Sequence, residues 1–148
     1  FMGLGRPADP EHIGDTFLCL KRSTNGPNTF SQTLQDLKPG RLYSLKMFSC
    51  DYDDLVHPKA KRLEDAQTMG TIILADADID ATRSFDEVYA SSPEPKVPVC
   101  IKYYWRIFRA KATTARLTVS DWKTATDPGG PIGQEQAFNF IEVQPYHE

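Results

Sequence analysis

Between Arg41 and Cys50 the chain alternates apolar and polar residues with a period of two. Tyr43, Leu45 and Met47 fall on one side, Ser44 and Lys46 on the other. Successive side chains of an extended backbone point to opposite faces, so this period belongs to a strand with one face buried. The signature recurs. Thr29 to Gln35 sets Phe30, Gln32 and Leu34 against Thr29, Ser31, Thr33 and Gln35, and Thr114 to Ser120 places Leu117 and Val119 together. Turn signals separate these runs: Asn25-Gly26-Pro27-Asn28, Leu37-Lys38-Pro39-Gly40 and Asp127-Pro128-Gly129-Gly130-Pro131. Further strands are expected at Thr16–Arg22, Met69–Leu74, Val99–Ala110 and Gln136–Gln144, and a short helical turn near Leu63–Ala66.

About eight strands with turns at short intervals mean an all-β, antiparallel two-sheet sandwich or barrel. The 148 residues suffice for one continuous core. Residues 1–15, punctuated by Gly3, Gly5, Pro7, Pro10 and Gly14, read as an extended lead-in, and 16–148 as a single β-sandwich domain. The expected core is Leu20, Phe30, Leu34, Tyr43, Leu45, Leu117, Val119, Ile141 and Val143. Gln32 shares a face with Phe30 and Leu34 and is expected to be buried and bonded to backbone, since an unsatisfied buried amide costs about 1–3 kcal/mol.

A net charge of −3 argues against nucleic acid as the main partner, because phosphate recognition needs clustered Lys and Arg. Lys59-Ala60-Lys61-Arg62 runs straight into Glu64 and Asp65 and reads as a solvated loop. No apolar run approaches the ~20 residues of a membrane span. The chain opens Phe1-Met2-Gly3, which fits a processed or excised domain, so the missing signal sequence says little about compartment. Cys19, Cys50 and Cys100 form no Cys-x-x-Cys pair, which speaks against a zinc or iron–sulfur site. Cys19, between Leu18 and Leu20, is expected to be a buried thiol. Cys50 and Cys100 end and begin long strands, and a disulfide between them stays open.

Alternating carboxylates at Asp51, Asp53 and Asp54, and at Asp76, Asp78 and Asp80, are a pattern that can ligate a hard cation. The second cluster lacks the glycine and distal glutamate of a helix-loop-helix calcium loop, so solvated turns explain them more simply. No metal or other cofactor is expected. The histidines His12, His57 and His147 lie in loops or termini, and no nucleophile elbow, dinucleotide fingerprint or phosphate loop is present. No catalytic residues can be assembled, and the chain is read as a non-enzyme. The aromatic stretch Tyr103-Tyr104-Trp105 with Phe108 is the stronger signal. With Ile101, Tyr103, Trp105 and Ile107 inward, Tyr104 and Arg106 face outward; a bulge swaps the faces and brings Phe108 and Ala110 in.

From Gly14 to Phe48 the order of features resembles the galactose-binding-like jelly roll of carbohydrate-binding modules on plant-polysaccharide hydrolases. Gly14 precedes a strand with Leu18 and Leu20, Phe30-Ser31-Gln32-Thr33-Leu34 sets a Gln between apolar residues, and Leu37-Lys38-Pro39-Gly40 leads into Tyr43-Ser44-Leu45. Phe108-Arg109-Ala110, the strand Ala115–Val119 and the closing Asn139–Val143 continue the likeness over about two-thirds of the chain. Residues 51–98 lie outside it. The resemblance implies a jelly-roll module, non-catalytic, in a larger secreted or surface protein, with a polysaccharide or oligosaccharide and neighbouring domains as partners. The other reading is a structural spacer or protein-interaction sandwich. On the first, the outward face of a Ser31–Ser44 strand pair is the floor of a glycan groove, formed by Ser31, Thr33, Ser44 and Lys46. Tyr104 and Arg106 are its wall, and Tyr52 and Trp122 its rim.

Overall fold

The computed structural model describes residues 17–57, 66–91 and 99–147. The expected lead-in, His12 and most of the helical turn near Leu63–Ala66 lie outside these residues. Eight strands follow one another: β1 (Leu18–Lys21), β2 (Thr29–Leu34), β3 (Leu42–Asp51), β4 (Thr71–Ala75), β5 (Ala77–Ser91), β6 (Val99–Ala110), β7 (Ala115–Ser120) and β8 (Glu135–Pro145), with the short helix α1 (Tyr52–Val56) after β3. They build a five-stranded sheet in the order β1-β8-β3-β6-β5 and a three-stranded sheet in the order β2-β7-β4. All the pairings are antiparallel. The all-β sandwich-like arrangement is the one the period-two pattern implies. No helix among the described residues is long and apolar enough to cross a membrane.

The core lies between the sheets. Tyr43, Leu45, Met47, Tyr104, Phe108 and Phe138 of the large sheet meet Ile72, Leu74, Leu117 and Val119 of the small one. Leu20, Phe30, Leu34 and Val143 pack against this cluster partly buried. The Phe30 and Phe138 rings, 6.0 Å apart, show β2 lying over β8. Two expected core residues depart from this pattern. Gln32 is exposed although its strand neighbours point inward. Ile141 is 38% exposed because β8 carries a bulge.

That bulge lies between the pairs Lys46–Glu142 and Phe48–Asn139, where two residues of β8 oppose one of β3. Its first residue, Phe140, has φ 54°, an uncommon conformation for a bulky side chain. The extra residue reverses the alternation, so that Phe138 and Val143 both face the core although an odd number of steps separates them. Ile141 falls inside the reversal.

Most of the aspartates have structural work. Asp51 caps α1, accepting from the amides of Asp53 (2.9 Å) and Asp54 (3.4 Å). Asp80 accepts from the Thr82 amide and hydroxyl and pairs with Arg83, and Asp78 pairs with Lys111. Among the described residues no three His, Cys, Asp or Glu side chains come together to hold a metal ion.

Candidate functional site

The structure does not bring the eight expected site residues together. β2 pairs with β7, not with β3, so the Ser31–Ser44 strand pair does not exist. Ser31 and Thr33 point outward from the three-stranded sheet, where Arg116 Nη2 donates to Ser31 Oγ at 2.7 Å. Ser44 and Lys46 point outward from the five-stranded sheet, on the opposite side of the sandwich. About 10 Å between sheets, plus both backbones, separates the two sets. Ser44 is itself buried. A period-two pattern tells which residues share a strand face; it carries nothing about which strand lies alongside.

Tyr104 is fully buried rather than part of a wall. It stands opposite Met47 on the core-facing side of β6. Its hydroxyl donates to Gly70 O at 2.8 Å and lies 3.1 Å from Ser49 Oγ. Burial pushes the phenol's pKa up, which keeps it a neutral donor. Arg106, opposite Leu45, is on the same inner side and pairs with Asp86 at 2.6 Å. Lys102 joins the same carboxylate at 3.3 Å, with its ammonium 4.8 Å from the Tyr104 ring centre. These polar groups are tolerated on the inner face because three strands do not cover five. At the margin near β5 the Asp86 side chain is 34% exposed, and the 14% exposed Arg106 side chain reaches it. Trp122 is a buried plug at 7% exposure, and Tyr52 begins α1, with its ring 5.6 Å from Phe17.

The other half of β6 holds what the sequence reading missed. Ile101, Tyr103, Trp105 and Ile107 share a face, as their alternation requires, but that face is the outer one. Phe48 of β3 meets Tyr103 at 5.0 Å, Phe85 of β5 meets it at 6.0 Å and Trp105 at 6.2 Å, while Phe140 at the β8 bulge meets Phe48 at 5.8 Å edge-on. Phe85 is 48% and Phe140 43% exposed, so the row of rings is open at both ends. Lys46 lies directly between Trp105 and Glu142 in the sheet and forms an ion pair with the glutamate. The hydrogen bond from Lys46 holds the Glu142 carboxyl below the usual carboxylate range. Asn139, opposite Phe48, has its Nδ2 buried without a hydrogen-bond acceptor among the described residues. At the other end the face is closed by α1, with Cys50 and Ala137 under Tyr52 and Leu55. The clue in the sequence was Tyr103 and Trp105 two residues apart on the most aromatic strand. Their apolarity suggested the core, but periodicity cannot choose between the two faces of a strand.

The cysteines also differ from expectation. Cys19 is exposed because β1 is a four-residue edge strand, and its Leu18 neighbour is 41% exposed too. Cys50 and Cys100 are both buried, and none of the three cysteines is in a disulfide. Continuing the β3–β6 register from the Ser49–Lys102 pair puts Cys50 and Cys100 on opposite faces of the sheet, which prevents a bridge. Desolvation raises the pKa of Cys19 and that of Cys50. We therefore expect Ellman's reagent at pH 8 to modify one thiol in the folded protein and all three in denaturant. Cys19→Ser should leave the folded protein unlabelled; a second reactive thiol in that variant would contradict the burial of Cys50 and Cys100.

Comparison of the chain with protein-family models, with curated proteins and with solved structures finds no match.

Proposed function

We propose that this domain is a non-catalytic carbohydrate-binding module of the galactose-binding-like jelly-roll kind, part of a larger secreted or surface protein. It takes a polysaccharide on the aromatic outer face of its five-stranded sheet. The observation that carries this reading is the open row of rings from Phe85 through Tyr103 and Phe48 to Phe140, with Trp105 beside an ion pair. Pyranose rings present an apolar C–H face that stacks on an aromatic ring, and hydroxyl edges that need charged or polar partners. Lys46 and Glu142 supply a donor and an acceptor next to Trp105. Tyr103 adds a hydroxyl whose pKa partial burial raises, so it remains protonated.

Few such contacts give weak binding, in the range of about 1 μM to 1 mM. Affinity electrophoresis and calorimetry against xylan, β-glucan, mannan and pectin are expected to find at least one ligand. Trp105→Ala and Phe85→Ala should each weaken it about tenfold, a change of ~1.4 kcal/mol. Binding should hold from pH 7 down to about 4.5, since Glu142 stays ionised below an unperturbed glutamate. Unchanged affinity in the double variant, or no retardation by any of the polymers, would refute this site.

One observation favours the alternative of an interaction domain. The two most exposed rings are phenylalanines, which have no hydroxyl to offer a sugar, and a broad apolar patch is the mark of a docking face. On that reading the same two substitutions raise solubility and leave every polysaccharide result negative.

A further inference from the structure

Gln32 marks an opening at the edge of the sandwich. It lies on the core-facing side of β2 with Phe30 and Leu34, yet it is exposed, and no described residue buries it. There a groove of about 630 Å3 runs between β2 and the last residues of β8, lined by the apolar Leu34, Tyr43 and Val143 and by the cations Lys38 and Arg41.

The two cations are mounted on a rigid frame. Lys38 and Arg41 are the first and last residues of the Pro39-Gly40 turn, closed by the Arg41 amide donating to Lys38 O at 3.0 Å. Gly40 takes the positive φ of 82° that such a turn needs at its third position. The Gly40 amide donates to Ala110 O (2.8 Å) and the Ala110 amide to Arg41 O (3.1 Å), which pins the turn to the end of β6. The Lys38 amide donates to Tyr43 Oη at 2.8 Å, so the base of the groove is held by the same turn. Neither cation has an ion-pair partner among the described residues. Asp36 is the one carboxylate that lines the groove among the described residues, beside the two cations Lys38 and Arg41 in a chain whose net charge is −3.

β2 is the end strand of its sheet. Its outward N–H and C=O groups along Thr29–Leu34 have no strand partner among the described residues. Such an edge is a template for another extended chain. A saccharide cannot match a row of alternating donors and acceptors at strand spacing, whereas a peptide does so with its own backbone, placing alternate side chains on each face. We infer that this groove binds an acidic peptide in extended conformation. The peptide adds to the three-stranded sheet along β2, with a carboxylate between Lys38 and Arg41 and an apolar side chain against Leu34, Tyr43 and Val143.

The test uses a blocked hexapeptide of alternating valine and glutamate, titrated into the labelled protein and followed by amide chemical shifts. Saturable shifts in Thr29–Leu34 and in Lys38–Arg41 are expected. The valine–lysine counterpart should bind about tenfold more weakly or not at all, as should the acidic peptide to Lys38→Glu/Arg41→Glu. Methylating alternate backbone nitrogens of the acidic peptide, in each of the two registers, keeps its charge but removes strand pairing in one register, where binding should be lost. The inference is overturned if both methylated peptides bind as well as the parent. It is also overturned if a galacturonan oligomer produces the same shifts while the peptide does not, or if no peptide binds at about 1 mM.

Discussion

Gly70→Ala is expected to lower the unfolding free energy by about 3 kcal/mol, a severe loss for one methyl group. A Cβ at Gly70 would sit 1.8 Å from Ser120 O and 2.8 Å from Ser120 C, both backbone atoms that no side-chain rotation can move aside. The site cannot shift cheaply, because Gly70 is held from two more directions. Its amide donates to Gln136 Oε1 at 2.7 Å, and its carbonyl accepts from Tyr104 Oη at 2.8 Å. These bonds join the approach to β4 with β8 and β6, so a displaced Gly70 leaves its own buried amide without an acceptor and the Tyr104 hydroxyl with Ser49 Oγ as its one remaining partner among the described residues. Urea unfolding measures the effect. Gly133→Ala is the control: it meets no atom within 4 Å and is strained only by φ 86°, at a cost nearer ~1 kcal/mol. Equal losses in the two variants would mean that the close approach at Gly70 is relieved by a small backbone movement.

Arg22→Met is expected to cost at least ~3 kcal/mol, lowering the melting temperature by roughly 10 °C. Arg22 is 1% exposed and acts as a buried hub. Its Nε donates to Asp121 O at 3.0 Å, while the two terminal nitrogens reach Thr68 O, Pro131 O and Gln134 Oε1. Desolvation lowers its pKa, opposed by the charge of Asp121, but an arginine stays protonated through any ordinary pH. Asp121 is in turn satisfied by the Asn28 amide (2.8 Å) and Nδ2 (2.9 Å). Methionine preserves much of the volume and removes all the donors, so the loss it causes reports the carbonyl groups left buried without hydrogen bonds. Gly130 belongs to the same construction. A Cβ there would meet Arg22 Nη1 at 2.5 Å and Thr68 Cβ at 2.6 Å, and Gly130→Ala should lose part of the same stability. If Arg22→Met unfolds at the wild-type midpoint, the hub contributes packing alone.

Neither residue stood out from the sequence. Arg22 looked like the polar end of the expected strand Thr16–Arg22, and Gly70 like an ordinary position in the expected strand Met69–Leu74. Their importance comes from partners far along the chain: Arg22 reaches Thr68, Asp121 and Gln134, and Gly70 touches Ser120, Tyr104 and Gln136. A local pattern cannot register contacts of that kind.

The same boundary runs through the candidate site. The alternation within β3, β6 and β7 follows from the sequence by itself, because strand geometry makes side chains two residues apart share a face. So do the Pro39-Gly40 turn, the all-β class, and the grouping of Ile101, Tyr103, Trp105 and Ile107 on one side of β6. The tertiary structure alone decided which side that was. Tyr104 and Phe108 went into the core with Arg106 between them, since a three-stranded sheet over a five-stranded one leaves a margin where a guanidinium reaches Asp86. It also separated Ser31 from Ser44 by pairing β2 with β7, and it reversed the alternation of β8 at Phe140 with one bulged residue. Pairing partners, sheet widths and bulges depend on energies summed over strands distant in sequence. The period of a single strand therefore determines its two faces and leaves open which of them meets water.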